Sequence, residues 1–197
     1  MASAATLFNE RGYAETSMSD VLARTGLEKG GLYNHFATKD DLAVAAFEYA
    51  ADRFERAHRR AQDAATGAPA KLLATVDLFA AQGSDPILPG GCPLLNTSVR
   101  STNVHRRLRN AARRAVRRAL DRIEAIVHDG VAAGEFAANT DGAGFAAYAF
   151  ASLEGAVMLA RLFDDDVHLG RVSARLHADV AALCTRRGRA ALAPRTH

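Results

Sequence analysis

The sequence lacks tryptophan and contains only two cysteines and five prolines among its 197 residues. The cysteines, Cys92 and Cys184, are too few for the disulfide framework of a small secreted domain. Free thiols of this kind fit a reducing compartment. No run of β-branched residues marks a central strand, whereas alanine and arginine are abundant, and this composition favours helices. We therefore expect an all-α, cytoplasmic protein.

Long uncharged segments and a strong excess of one charge are also missing. No stretch approaches the roughly 20 apolar residues of a membrane-spanning helix, and the first residues lack the basic and apolar parts of a secretory signal. The formal net charge is only +3, from 25 basic and 22 acidic residues. Because residues 1–60 carry eight basic and nine acidic residues, a nucleic-acid partner there would need locally placed basic groups.

Hydrophobic spacing and capping signals predict a chain of helices. The segments Ser17–Asp20 and Thr38–Asp41 each have the pattern of a capping box, in which a hydroxyl and a carboxylate three residues apart close a helix start. We predict a helix-turn-helix domain over 1–45, a larger helical domain over 46–187 and a flexible tail over 188–197. Because the first helix is short, we expect native residues upstream of it.

The segment KGGLYNHFATKDDL (29–42) places two glycines in a short helix. Each glycine costs about 1 kcal/mol relative to alanine in a helix interior, so we expect another molecule to approach this backbone closely. A helix, a turn containing Gly26 and a second short helix match the helix-turn-helix plan, whose second helix enters the DNA major groove. Thr38 begins a helix whose free amides and dipole attract a phosphate.

The stretch LFNERGYAETSMSDVLARTGLEKGGLYNHFATKDDL (7–42) resembles the DNA-binding domain of TetR-type transcriptional regulators. The resemblance implies a homodimeric repressor that a small molecule releases from a palindromic operator in double-stranded DNA. The sequence departs from the family where Glu28 and Gly31 replace residues that are often serine or threonine. The DNA-binding residues that the match implies are Thr16, Ser17, Lys29, Gly30, Gly31, Tyr33, His35, Thr38 and Lys39.

The resemblance also implies an effector pocket in the middle helices, walled in part by the turn at 86–93 and the apolar side of Val104–Ile126. Its mostly apolar lining suits a small, weakly polar organic molecule. The predicted lining residues are Leu72, Val76, Phe79, Cys92, Leu95, Asn96 and Leu108. GGCPLLN (90–96) resembles a segment of one family branch whose cysteine senses electrophiles. Two versions stay open: reversible binding of an apolar ligand, which we favour, and covalent modification of Cys92.

The last two long helices are predicted to form the dimer interface. A protein that reads a palindrome needs two-fold symmetry, and two helices from each chain would make a four-helix interface. The segment AFASLEGAVMLARLF (149–163) resembles the first dimer helix of the family. The predicted interface residues are Ala149, Ser152, Leu153, Ala156, Leu159, Ala160, Val172, Leu176, Val180 and Leu183.

Other patterns in the sequence favour less specific interpretations. The arginines between Arg106 and Arg122 surround an apolar stripe, which is typical of a solvated helix face more than of a nucleic-acid or membrane surface. A carboxylate di-metal site needs two Glu-x-x-His elements and two further carboxylates, and the sequence has one such element, Glu55-x-x-His58. Since no catalytic triad order, P-loop or dinucleotide glycine pattern appears, we expect no enzyme, metal or cofactor. A helical small-molecule-binding protein or enzyme with a degenerate helix-turn-helix is the alternative.

Overall fold

The computed structural model describes residues 1–100 and 105–192, which form ten helices and confirm the all-α prediction. In chain order the helices are α1 (Ala2–Arg11), α2 (Met18–Thr25), α3 (Lys29–His35), α4 (Lys39–Asp63), α5 (Ala68–Ala80), α6 (Pro93–Arg100), α7 (Arg106–Ala132), α8 (Gly142–Phe163), α9 (Val167–Leu183) and α10 (Arg186–Leu192).

Both predicted capping boxes are present. The Ser17 hydroxyl accepts from the Asp20 amide at 3.1 Å, and the Asp20 carboxylate accepts from the Ser17 amide at 2.7 Å. The Asp41 amide donates to the Thr38 hydroxyl at 3.1 Å, and the Thr38 amide donates to the Asp41 carboxylate at 3.2 Å. Helix α2 ends at Gly26 with φ 67°, a left-handed conformation that favours glycine. Local chemistry therefore sets where α2 begins and ends and where α4 begins.

Two helices were not predicted from the sequence. Helix α6 forms at the end of the Gly- and Pro-rich stretch, and α10 forms in the first part of the tail that was predicted to be flexible. The Thr185 amide donates to the Glu135 carbonyl at 2.9 Å, and the Thr185 hydroxyl accepts from the Gly188 amide at 3.3 Å. The contact with Glu135, which is 50 residues away in sequence, fixes the chain where α10 begins, and the Gly188 contact caps the first turn of α10. Residues 193–197 lie outside the described part of the chain.

Packing divides the chain into two units. Unit 1 comprises Met1–Glu55 and Pro86–Arg117, so α6 and the start of α7 belong to the same unit as α1, α2, α3 and most of α4. It is larger than the N-terminal domain predicted at 1–45. Its core is formed mainly by small and medium-sized side chains: Ala4, Ala5, Leu7, Val21, Leu32, Leu42, Ala46, Ala50 and Leu88.

Unit 2 comprises Arg56–Asp85 and the described residues from Arg118 onward. Its helices α5, α8 and α9 pack against one another, and α10 packs on α5. One cluster of its core contains Ala68, Leu72, Ile123, Ile126, Val127, Phe136, Ala146, Val180 and Cys184.

Helix α8 corrects the expectation that no segment approaches a membrane-spanning composition. It has 22 residues, and its most apolar window has a mean hydropathy of 1.4. By length and composition alone it could cross a membrane. In unit 2, however, its apolar side packs against α5 and α9, and the core helix of a bundle needs the same composition.

Candidate nucleic-acid interface and buried core

Helix α3 is anchored to unit 1 by a single fully buried side chain. Leu32 is 4% exposed, and it belongs to the core cluster of the unit. The predicted DNA-binding residues on the same helix are all exposed: Lys29, Gly30, Gly31, Tyr33 and His35. This short helix therefore presents nearly its whole length to solvent.

The two glycines of α3 are not required by contacts within the chain. A Cβ atom added at Gly30 or Gly31 would meet no atom within 4 Å, and both residues are helical. Neither close packing nor a left-handed backbone explains them. Beside them, the Lys29 ammonium lies 5.8 Å from the centre of the Tyr33 ring. The arrangement is a bare helix backbone flanked by a cation and an aromatic ring.

The start of α4 is the second exposed part of this surface. Thr38 is exposed and Lys39 is partly exposed, as a phosphate contact requires. Asp41 accepts hydrogen bonds from the Thr38 hydroxyl at 2.7 Å and from the Arg107 guanidinium at 2.6 Å. These hydrogen bonds, with Thr38 first and Arg107 second, hold the pKa of the Asp41 carboxyl below its ordinary value.

Tyr13 contacts two residues at the start of α4, Lys39 and Asp40, and one residue just before α7, His105. Its hydroxyl donates to the Asp40 carboxylate, and its ring lies 4.2 Å from the Lys39 ammonium. The His105 ring centre is 3.8 Å from the Tyr13 ring centre. Burial, followed by the hydrogen bond to Asp40, raises the pKa of Tyr13 to about 12, so the hydroxyl stays protonated at neutral pH.

Sequence reasoning missed Tyr13, Asp40, His105 and Arg107 as members of this surface. For Tyr13, the only available signal was its place in the stretch 7–42 that resembles the family. Arg107 was assigned to a solvated face, and it is 64% exposed, but its side chain reaches a carboxylate 66 residues away in sequence.

Thr16 is the predicted DNA-binding residue that the structure sets apart. Its side chain is fully buried, and its hydroxyl donates to the Gly12 carbonyl at 2.8 Å. That hydrogen bond closes the turn between α1 and α2, so the Thr16 side chain is not available at the surface. Its neighbour Ser17 is exposed.

The seven predicted effector-site residues fall in both units. Leu72, Val76 and Phe79 are buried in unit 2, whereas Cys92, Leu95, Asn96 and Leu108 belong to unit 1. Val104, at the start of the predicted wall, lies outside the described residues.

In unit 1, two asparagines hold the turn that precedes Cys92. The Asn9 amide donates to the carbonyls of Pro89 and Gly91 at 2.7 and 2.8 Å, and the Asn96 amide donates to the Gly90 carbonyl at 2.7 Å. Cys92 itself is 1% exposed, so a reagent reaches its thiol only when this segment opens. Asn96 and Leu108 line a crevice of about 30 Å³, which has room for roughly one water molecule.

In unit 2, polar side chains are buried around an aromatic core. The Phe79 ring lies 4.9 Å from the His58 ring and 6.4 Å from the Phe150 ring. Burial first, and the Arg122 charge second, lower the pKa of His58 to about 4. The buried polar residues of this unit, which sequence reasoning did not select as effector contacts, are His58, Gln62, Thr75, Gln82, Glu154 and Ser173.

The structure buries most of the predicted dimer residues inside unit 2. Six of the ten are enclosed by their own chain: Ala149, Leu153, Ala156, Ala160, Leu176 and Val180. The helical spacing that selected them marks the side facing the unit's own core. The apolar side chains exposed near the end of α8 and the start of α9 are Met158, Leu162, Phe163 and Val167.

Metal ligands are not gathered in the described part of the chain. Within residues 1–100 and 105–192, no group of three or more histidine, cysteine or acidic side chains could hold a metal ion. Neither Cys92 nor Cys184 forms a disulfide, and both are buried.

Two family models match the chain, in the order that the fold gives. Residues 1–46 match the model of bacterial regulatory proteins of the tetR family, and residues 68–176 match the tetracyclin repressor-like C-terminal domain. A crystal structure of a TetR transcriptional regulator from Chloroflexus aurantiacus is 37% identical, with a TM-score of 0.88 over 93% of this chain and 92% of the other. A TetR-family regulator from Cytophaga hutchinsonii is 29% identical, with a TM-score of 0.86 over 93% and 92%.

Curated relatives agree over a shorter segment. An HTH-type transcriptional repressor of Mycobacterium tuberculosis is 40% identical over 53 residues, which cover 27% of this chain and 28% of the relative. Together with this repressor, the two family models and the Chloroflexus structure define a helix-turn-helix regulator. The chain belongs to the TetR family of transcriptional regulators.

Proposed function

We propose that this chain is a transcriptional repressor that binds a palindromic operator and is released from it by a small organic effector. The observation that carries the proposal is the exposed surface of α3, with its two glycines, next to the capped start of α4. Bare backbone at Gly30 and Gly31 allows α3 to lie close to base edges in the major groove. Lys39 and Thr38 supply phosphate contacts at the end of the same surface.

Operator binding is tested with duplexes selected by the purified protein from a random library and with the DNA upstream of its own gene. We expect a salt-sensitive complex, because phosphate contacts release counterions. Lys39→Ala and Tyr33→Ala should each weaken binding by roughly 1–3 kcal/mol, as measured by fluorescence anisotropy. Arg186→Ala removes an exposed charge from α10 in unit 2 and serves as the control. If Lys39→Ala and Tyr33→Ala bind as tightly as the parent and the control do, the DNA surface is assigned to the wrong residues.

A homodimer is part of the proposal, with the interface moved to exposed side chains. Met158, Leu162 and Phe163 are 51%, 71% and 56% exposed in the chain, and a large exposed apolar patch is typical of an interface. Leu162→Arg should give a folded monomer in light scattering. Ala156→Arg should instead unfold unit 2, because that side chain is 1% exposed. A parent that is monomeric at micromolar concentration would contradict the dimer.

The proposed effector binds reversibly in unit 2, among Leu72, Val76 and Phe79. The surrounding apolar residues give affinity for a weakly polar molecule, and buried polar residues such as His58 and Glu154 give it orientation. A screen of small aromatic compounds for operator release, combined with thermal unfolding, identifies the class. Cys92→Ser separates this version from covalent sensing, because a variant that still releases DNA when treated with quinones excludes Cys92 as the switch.

The cytoplasm is the proposed location, since a repressor acts where the DNA is. The competing hypothesis is a helical small-molecule-binding protein or enzyme whose helix-turn-helix has lost its function. Such a protein would bind an effector but would enrich no duplex from the random library. The exposed α3 surface argues against it, because a lost DNA site has no reason to keep two adjacent helix glycines that its own packing does not need.

A further inference from the structure

The first turn of α4 contains one cation followed by two acidic residues. Lys39 is followed by Asp40 and Asp41, and two carboxylates next to a phosphate site would repel the phosphate. Carboxylates are nevertheless favourable at a helix N-terminus for the helix itself. The two carboxylates therefore stabilise the helix but disfavour phosphate binding. Neighbouring side chains are needed to offset their charge.

Tyr13 contacts two of these three charges. Its ring lies 4.2 Å from the Lys39 ammonium, which is the geometry of a cation–π interaction. Its hydroxyl donates to Asp40 and so engages that carboxylate. The ring is itself packed, 3.8 Å from the His105 ring and 6.4 Å from the Phe8 ring. A free lysine side chain loses rotamer entropy when it is fixed, so a lysine held in advance binds a phosphate at a lower cost in free energy.

Arg107 contacts the third charge. Its guanidinium lies 2.6 Å from the Asp41 carboxylate, although Arg107 is at the start of α7. The pair is solvent-accessible, with the arginine side chain 64% exposed, and exposed pairs add little to folding stability. The more specific effect is electrostatic, because a guanidinium next to Asp41 offsets the negative charge beside the phosphate site.

We propose that Tyr13, His105 and Arg107 are positioning residues for the operator contact made by the first turn of α4. Tyr13, supported by His105, orients Lys39 toward the phosphate, and Arg107 neutralises Asp41. This inference rests on the proposed function. It assigns to the start of α7 a part in operator affinity that does not require α7 to touch DNA.

The binding test uses the full chain and a labelled duplex that the parent has selected from a random library. Tyr13→Leu should raise Kd about ten-fold for a dimer, since two cation–π contacts are lost. Its dependence on salt should also fall, by about 0.9 in log–log slope for each phosphate contact that is lost. Tyr13→Phe keeps the ring and should retain the salt slope. Thermal unfolding checks that each variant is folded.

The matched pair for the electrostatic part is Arg107→Gln and Arg106→Gln. Both remove one exposed arginine from the start of α7, but only the first removes the contact with Asp41. Arg107→Gln should raise Kd about five-fold more than Arg106→Gln does. Equal effects of the two variants would reduce Arg107 to a contributor of bulk charge and would overturn its positioning role.

A readout without DNA keeps the inference separate from the proposed function. The ε-methylene protons of Lys39 should show an upfield ring-current shift in NMR spectra of the parent and of Tyr13→Phe, and the shift should be lost in Tyr13→Leu. If the Lys39 proton resonances of the parent are unshifted, the inference alone is overturned. The same holds if the parent binds DNA and Tyr13→Leu and Arg107→Gln bind it as tightly as the parent does. A parent that enriches no duplex overturns the proposed function and the inference together.

Discussion

Polar side chains are exposed to solvent on helix α3 in unit 1, whereas they are buried in the core of unit 2. On α3, one leucine is buried, and the lysine, tyrosine and histidine side chains project into solvent. Next to Phe79, His58 is buried to 6% exposure, and elsewhere in the same unit Glu154 is buried to 4% exposure. The first arrangement suits a large polyanion that comes to a ready surface. The second suits a small molecule that is enclosed, where each buried polar group must be satisfied.

The two regions also differ in what holds them together. Helix α3 has seven residues, including two glycines, and an isolated helix of that length is unstable in water. Its one buried side chain is Leu32, and the partly buried Phe36 at its C-terminal cap packs against the same core. The core of unit 2 is distributed over several long helices. Substitutions should therefore affect the first region through single residues and the second through its buried polar groups.

The largest effect is expected from the one buried side chain of α3. Leu32→Ala should lower the free energy of unfolding of unit 1 by about 3 kcal/mol, because it removes a buried side chain and leaves a cavity. Operator binding should be lost with it. Urea unfolding followed by circular dichroism measures the change. Leu27→Ala is the control, since Leu27 is 53% exposed and should change stability little. A small loss at Leu32 would mean that α3 has other anchors.

The second effect concerns the buried histidine of unit 2. The folded pKa of His58 is lowered to about 4 from 6.5 by burial and by Arg122, so the unfolded chain binds the proton more readily. The stability due to neutral His58 is therefore complete above about pH 6.5 and is lost as the pH falls toward 4. From pH 7 to pH 5 the free energy of unfolding should drop by roughly 2 kcal/mol.

Urea titrations at several pH values test this sign and size. His58→Gln should remove most of the slope, whereas His177→Gln should keep it, because His177 is partly exposed on α9 and pairs with Asp77. A parent whose stability is constant between pH 7 and 5 would show that His58 is hydrated or paired in the folded state. The polar groups of unit 2 would then be solvated, as those on α3 in unit 1 are.

The sequence predicts the features that depend on local contacts better than those that depend on contacts between distant residues. The capping boxes and the extent of α3 depend on residues three or four positions apart, so local patterns were sufficient. Thr16 was misplaced because its hydroxyl bonds back to Gly12 inside the turn. The contacts of Tyr13 with His105 join residues far apart in sequence, and α10 depends on Glu135. Helical periodicity identified the apolar side of α8 but could not tell whether that side faced its own core or a partner.

A smaller effect is expected from the cap that presents the phosphate-binding turn. Thr38→Ala removes the hydroxyl that accepts from the Asp41 amide and should cost about 1 kcal/mol of stability. Thr38→Ser keeps the hydroxyl and should restore most of it. Chemical denaturation of the three proteins gives the values. If serine is no better than alanine, the start of α4 is held by Arg107 and Tyr13 and not by its own cap.

The smallest change in stability should come from the glycines of α3, and its sign is the sharpest test of the difference between the two regions. Gly31→Ala adds a methyl group that meets no atom within 4 Å in a helical position, so it should stabilise unit 1 by about 0.5–1 kcal/mol. Operator binding should weaken at the same time, because the methyl group occupies space that a base edge or phosphate needs.

The control is Gly26→Ala, which places a side chain at φ 67° and should destabilise the unit, as a left-handed position does for residues other than glycine. Thermal unfolding and anisotropy on the same samples separate the two outcomes. A Gly31→Ala protein that is both more stable and equally tight on its operator would mean that DNA does not approach this backbone. Operator binding would then not explain the exposed glycines. The DNA-binding surface would have to lie on another part of unit 1.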